Sequence, residues 1–88
     1  MKRYFIIYKG IVQGVGFRGK AIQCARRHQL TGYVRNTRAG DGDCEVQGEE
    51  VDLFVKETIA GDRFIKVFDY SIKQIPLRED ERNFTVRF

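Results

Sequence analysis

Acidic side chains are missing from the first 40 residues of this chain. That half carries nine Lys or Arg and no Asp or Glu, whereas residues 41–88 carry seven basic and twelve acidic groups. The halves therefore stand at +9 and −5 within a net charge of +4. Such asymmetry points the N-terminal half toward an anion, unless its cations are solvated or pair with the acidic half. Cysteine is scarce: Cys24 and Cys44 are the only two, with neither metal-ligand spacing nor a disulfide framework. Each sits in an apolar periodic segment and reads as a small buried hydrophobe. Long apolar runs are also lacking. The opening "MKRYFIIYKG" is too short a run for a signal peptide or a membrane helix, which leaves a reduced, cytoplasmic protein as the expectation. Low-complexity stretches and linkers are absent, so residues 1–88 are expected to form one domain with a modest core.

What is present alternates between strand and helix patterns. "RYFIIYKGIV" (3–12) is a β-branched and aromatic run suited to a mid-sheet strand. From Arg18 to Gln29, Ala21, Cys24, Ala25 and His28 recur at helical spacing, with Arg26, Arg27 and His28 at the end where cations complement the helix dipole. "TGYVRNT" (31–37) reads as a second strand, "RAGDGD" (38–43) as a turn, and "CEVQG" (44–48) as a third strand with Cys44 and Val46 on one face. A second helix is expected over 50–60, with Val51, Phe54, Val55 and Ile59 inward and Gly61 closing it. "FIKVFDYSIKQI" (64–75) is a long fourth strand. Pro76 and "REDER" form a charged loop, and "FTVRF" (84–88) ends the chain as a strand with Phe84, Val86 and Phe88 on one face. The order β-α-β-β-α-β, with a split or extra strand near the end, is the ferredoxin-like α+β pattern: an antiparallel sheet covered on one face by two helices.

The stretch "GIVQGVGFRG" (10–19) contains a literal GxGxxG between a strand and a helix. A dinucleotide turn is a poor reading, because the chain is too short for two βαβαβ halves and the next strand leads into a hairpin turn. The glycines keep their physical meaning. Gly14 and Gly16 permit positive φ, so successive backbone N–H groups can converge on an anion, and the loop feeds a helix N-terminus. Arg18 stands there with a planar fork of donors. On these residues alone, a tight turn with an arginine in solvent is an equal reading.

Length brings in a second residue. A helix over 18–29 spans about 18 Å, and a strand over 31–36 returns roughly 17 Å. Asn36 is then level with the glycine loop, where its amide can share a site with Arg18. Otherwise it is a turn residue at a strand end.

"GIVQGVGFR" followed by "GYVRN" resembles the signature pair of the acylphosphatase family, G-x-V-Q-G-V-x-F-R and Gly, aromatic, small apolar, any residue, Asn. The twelve residues between Arg18 and Thr31 match the family's usual separation. The resemblance implies that Val12, Gln13, Gly14, Val15, Gly16, Phe17 and Arg18 bind phosphate, largely through backbone N–H groups. It implies that Arg18 holds the phosphoryl oxygens and Asn36 positions the attacking water. The implied reaction hydrolyses a carboxyl-phosphate anhydride to a carboxylate and inorganic phosphate, with no cofactor and no metal. Inorganic phosphate is then both product and competitive inhibitor, and the expected form is a cytoplasmic monomer with neither membrane nor nucleic-acid partner. The chemistry needs no His–Asp pair, since phosphoryl transfer asks chiefly for positioning and charge stabilisation. His28, the only histidine, sits at the far end of the helix and reads as structural.

The chain departs from the family pattern in places. Gly19 follows the arginine where a larger residue is usual, Gly42 stands where valine is expected, and the second helix is about one turn short. Two rival readings use the same element order: a domain that binds a phosphorylated ligand without hydrolysing it, and an RNA-binding sheet. Tyr4, Phe5, Tyr8 and Tyr33 could supply stacking surfaces for the latter, but "CEVQG" lacks the aromatic string such a third strand carries.

Overall fold

The computed structural model describes Met1–Phe88. Its elements are β1 (Lys2–Ile11), α1 (Phe17–Arg27), β2 (Thr31–Asn36), β3 (Gly42–Gly48), α2 (Val51–Ala60), β4 (Lys66–Ile75) and β5 (Phe84–Arg87). They form one five-stranded sheet in the order β4-β1-β3-β2-β5. The α+β ferredoxin-like arrangement is as expected, with α1 over β2 and β5 and α2 over β1, β3 and β4. The sheet is antiparallel except at one pair. β5 runs parallel to β2, with Gly32 opposite Phe84 and Arg35 opposite Arg87, which corrects the expectation of a wholly antiparallel sheet. The long connection after β4 returns the chain to the far edge of the sheet, where it can enter from the same end as β2.

Alternation along the strands decides the faces. Ile6, Tyr8, Val34, Cys44 and Val46 point under the helices and are fully buried. They meet Ala21, Cys24 and Ala25 of α1, and Val51 and Phe54 of α2. Tyr8 carries a hydroxyl into this core and satisfies it on Thr58 Oγ1 at 2.8 Å. Burial raises that phenol well above its ordinary pKa. Thr58, a buried position that the apolar pattern passed over, in turn donates to the carbonyl of Phe54.

The opposite face is held by ions. Arg3 is completely buried between Glu45 and Glu81, at 3.0 and 2.7 Å. Tyr33 donates to Glu45, and Arg35 forks onto Asp43. The four aromatics that an RNA-binding sheet would need are therefore split. Tyr4 and Tyr8 share the helix side with Ile6, while Phe5 and Tyr33 lie on the other face beside Glu45. These four therefore form no continuous stacking surface.

Element ends differ from the sequence expectation for local reasons. β3 starts two residues early, at Gly42, because Gly42 pairs with both Asn36 and Tyr8. The turn is thereby confined to 37–41, closed by the Thr37 N–H donating to the Asp41 carbonyl. β4 starts two residues late, because Asp62 Oδ1 accepts the N–H groups of Phe64 and Ile65 and holds them in a bend. α1 stops at Arg27, and Gln29 then takes a left-handed φ of 57°.

Candidate active site

β1 and α1 are joined by 12–16, and two glycines there set the backbone. Gly14 (φ 74°) and Gly16 (φ 85°) both lie in the left-handed region that favours glycine. Gly16 is also the N-cap of α1 and offers no side chain to cap it. No backbone N–H from Gln13 to Gly19 donates a hydrogen bond of normal geometry within the chain. Seven consecutive donors are thus unspent at the positive end of a helix dipole, an arrangement that attracts an oxyanion.

A cleft of about 360 Å³ opens on this loop, lined by Val12, Gly14, Gly16, Phe17, Arg18, Gly19, Ile22, Asn36, Val86 and Phe88. It unites five of the seven loop residues named above with Asn36. The side chains of the other two point elsewhere. Val15 packs against the core. Gln13 Nε2 donates to the carbonyls of Thr37 (2.6 Å) and Asp41 (3.0 Å), tying the loop to the turn that follows Asn36. That tie is a positioning contact which the residue pattern did not reveal.

Arg18 enters the cleft with its charge uncommitted. It forms no ion pair and no side-chain hydrogen bond, and its guanidinium carbon lies 5.1 Å from the centre of the Phe88 ring. Among the nine cations of residues 1–40, Lys2, Arg3, Lys20, Arg27 and Arg35 pair with carboxylates from the acidic half. The charge asymmetry is therefore mostly internal pairing, and the anion-facing reading contracts to Arg18 and its loop. Lys9, Arg26 and Arg38 are also without ion pairs but lie outside the cleft.

Asn36 closes the other side. Its Oδ1 is buried and has no hydrogen-bond partner in the protein. A buried acceptor left unmade costs about 1–3 kcal/mol, so the position calls for a donor from within the cleft. Asn36 shares the helix side of β2 with Val34, at the strand end opposite Gly42. Glycine at 42 is a steric requirement: a Cβ there would lie 2.8 Å from Phe17 Cε2. The buried Phe17 ring, edge-on to Tyr8 at 4.8 Å, takes the space that a valine at 42 would fill.

Ile22, Val86 and Phe88 give the cleft an apolar side that the loop and Asn36 do not suggest. Ile22 comes from α1, whereas Val86 and Phe88 follow from the parallel β2–β5 pairing, which carries the end of the chain alongside Asn36. Phe84, Val86 and Phe88 were expected to share one buried face. Phe84 is buried and Val86 half-buried, but Phe88 is fully exposed at the rim.

At the other end of α1, Arg27 and His28 are paired while Arg26 is not. Arg27 and His28 both meet Glu57 of α2, and His28 also meets Glu50. The carboxyl of Glu57 is held at about 2, first by the Cys24 S–H and then by His28 and Arg27. His28 is thus a bridge between the helices, distant from the cleft.

The acylphosphatase family profile matches residues 4–86. The chain is 42% identical to an acylphosphatase of Clostridium acetobutylicum over 88 residues, covering 98% of this chain and 97% of the relative. It is equally similar, at 42%, to an acylphosphatase of Geobacillus thermodenitrificans, covering 100% and 96%. The crystal structure of acylphosphatase from Bacillus subtilis superposes with a TM-score of 0.93 at 33% identity, over 100% of both chains.

Proposed function

The chain belongs to the acylphosphatase family and is an enzyme of that family; on that premise we propose that it hydrolyses acyl phosphates in the cleft of Arg18 and Asn36, without a metal. What supports this reading is that Asn36, whose buried Oδ1 has no partner in the protein, lines the same cleft as the uncommitted Arg18 and the glycine loop, whose N–H groups make no hydrogen bond within the chain.

Each group has one task. The N–H groups of Gln13–Gly19 and the Arg18 fork surround the phosphoryl oxygens and stabilise the charge that spreads over them in the transition state. Asn36 Oδ1 accepts an O–H from a water and so fixes where that water's lone pair points. Its amide takes no proton at neutral pH. The water oxygen bonds to phosphorus as the bond from phosphorus to the acyl oxygen breaks, and the carboxylate leaves without needing protonation. The water's proton passes to a phosphoryl oxygen. Positioning of this kind accounts for much of the rate in such reactions, and the acyl group rests against Ile22, Val86 and Phe88. Inorganic phosphate occupies the same cradle as product and competitive inhibitor. All these groups come from one chain, which fits a monomer. The two unpaired thiols, Cys24 and Cys44, fit a reducing compartment such as the cytoplasm. No helix is long and apolar enough to cross a membrane.

Hydrolysis of benzoyl phosphate by the purified protein, with a chelator present and inorganic phosphate varied, tests the reading. It predicts turnover that survives chelation and is inhibited competitively by phosphate. Competitive phosphate binding with no turnover would leave a binding cradle that has lost catalysis. Turnover abolished by the chelator and restored by a metal would overturn the mechanism.

A further inference from the structure

Cys24 on α1 and His28 at its C-cap stand four residues apart and face Glu57 of α2. Cys24 Sγ lies 2.8 Å from Glu57 Oε2, and His28 Nε2 lies 3.1 Å from Glu57 Oε1. One donor atom from each of the three residues lies within 4.8 Å of the others. The second ring nitrogen of His28, Nδ1, lies 3.3 Å from Glu50 Oε1. A neutral imidazole has a single N–H. When Nδ1 donates to Glu50, Nε2 turns a lone pair toward the carboxylate of Glu57, and two acceptors face each other. That contact is favourable only with a positive species between them, either a second proton or a metal ion.

We propose that Cys24, His28 and Glu57 form a zinc-type metal site that clips α1 to α2, with Glu50 as the outer carboxylate that orients the histidine. Thiolate, imidazole and carboxylate are donors zinc takes in tetrahedral geometry, and three of them leave the fourth position to water. Metal–ligand lengths of about 2.0–2.3 Å put neighbouring donors roughly 3.3–3.6 Å apart, so the two Glu57 contacts need to open slightly and the widest separation in the set, up to 4.8 Å, needs to close. The Nδ1 contact to Glu50 is the outer-shell arrangement that commonly fixes the tautomer of a metal-bound histidine.

The charges of the cluster also balance with a metal bound. A divalent ion and Arg27 together contribute +3, and the Cys24 thiolate, Glu57 and Glu50 contribute −3. Without metal, Glu57 accepts from the Cys24 thiol and pairs with Arg27. Metal binding replaces both contacts and sends the thiol proton to solvent. Burial, and then the Glu57 contact, push that thiol up to about 12. Cys24 itself is buried, while His28 is half-buried and Glu57 more open, so a metal would enter from the Glu57 side as the carboxylate moves. Cys24 and His28 lie about 9 and 15 Å along the helix axis from Arg18, so the clip acts on stability and leaves phosphoryl chemistry alone. Sequence spacing hides the site, because its third ligand is on the other helix.

The test uses the whole chain, stripped with a chelator and titrated with Co²⁺ and then with Zn²⁺. The expected result is one equivalent of Co²⁺ with a near-ultraviolet thiolate charge-transfer band, displaced by Zn²⁺, and a Tm that rises with Zn²⁺. Cys24→Ser should abolish the band. His28→Gln and Glu57→Gln should weaken binding at least about tenfold, and Glu50→Ala about tenfold. Arg27→Ala should tighten it, because the competitor for Glu57 is gone. Cys24→Ser is nearly isosteric, and the exposed Glu50→Ala and Arg27→Ala variants test the site even if a buried replacement fails to fold. A wild-type protein with no thiolate band would overturn the proposal, as would a band that survives Cys24→Ser or binding weakened by Arg27→Ala. The cluster would then be an ion-paired latch alone.

Discussion

Ten residues apart, at the two ends of α1, Arg18 and the C-cap His28 have opposite surroundings. Arg18 has no carboxylate within ion-pair distance, belongs to a loop whose N–H groups from Gln13 to Gly19 make no hydrogen bond within the chain, and shares its cleft with Asn36, whose buried Oδ1 has no partner. His28 touches two carboxylates, one of which also takes Arg27 and the Cys24 thiol. One end leaves polar groups unmatched, and the other matches nearly all of them. Unmatched groups in a cleft raise no stability within the protein and are available to a ligand, whereas matched groups hold the helices together. Function and stability are thus separated along α1, and each can be disturbed alone.

The strongest way to break that separation is at its N-terminal end. Arg18→Ala should lower kcat/KM for an acyl phosphate by at least about 1,000-fold, the scale on which an arginine stabilises phosphoryl transfer. Its Tm should be unchanged, because no protein contact of consequence is lost. A large fall in Tm would show that Arg18 is structural. Asn36→Ala should reduce kcat by about 100-fold through water misplacement, with the inhibition constant of inorganic phosphate unaltered. Weaker phosphate inhibition in that variant would make Asn36 a ligand to phosphate. Gly42→Val restores the residue common at that place in the family, yet it should cost about 1–3 kcal/mol by overpacking against Phe17, read as a lower denaturation midpoint.

The smallest effect sharpens the other end. Glu57 is held below its ordinary range, at about 2. The unfolded chain therefore binds a proton at this carboxyl where the folded one does not, between about pH 2 and 4.5. Its contribution to stability is present above the unfolded pKa and is lost as pH falls through that window. Thermal melts from pH 6 to pH 2 should show a Tm decline in the wild type that Glu57→Gln makes shallower, with turnover at neutral pH the same in both. An identical slope would remove Glu57 from the latch.

Much of the cleft was legible because its parts are local. A glycine pair between a strand and a helix dictates the loop. The lengths of α1 and β2 then set Asn36 level with it, so two short motifs define one place. The apolar stripes of both helices, including Cys24, and the inward face of β3 followed from period alone. What was hidden depends on partners distant in sequence. A strand pattern carries no direction, so the parallel β5, and with it Phe88 beside Arg18, could not be read from "FTVRF". Thr58 is polar by composition and buried because Tyr8 brings a hydroxyl to it. Arg3 reads as a surface charge at the start of a strand, yet it lies fully buried because two carboxylates from residues 45 and 81 converge on it. Gln13 was assigned to the phosphate loop by its backbone, while its side chain does separate work in bracing the turn after Asn36.

The most direct test of the division along α1 is an amide NMR titration of the wild-type chain with inorganic phosphate. The account predicts saturable shifts confined to Gln13–Gly19 and the Asn36 side chain, with the 24–28 end of α1 and Glu57 unmoved. It would be contradicted by an unshifted loop, or by shifts centred instead on the second basic cleft, of about 540 Å³, that includes Arg26 and Arg82 at the opposite end of the helix.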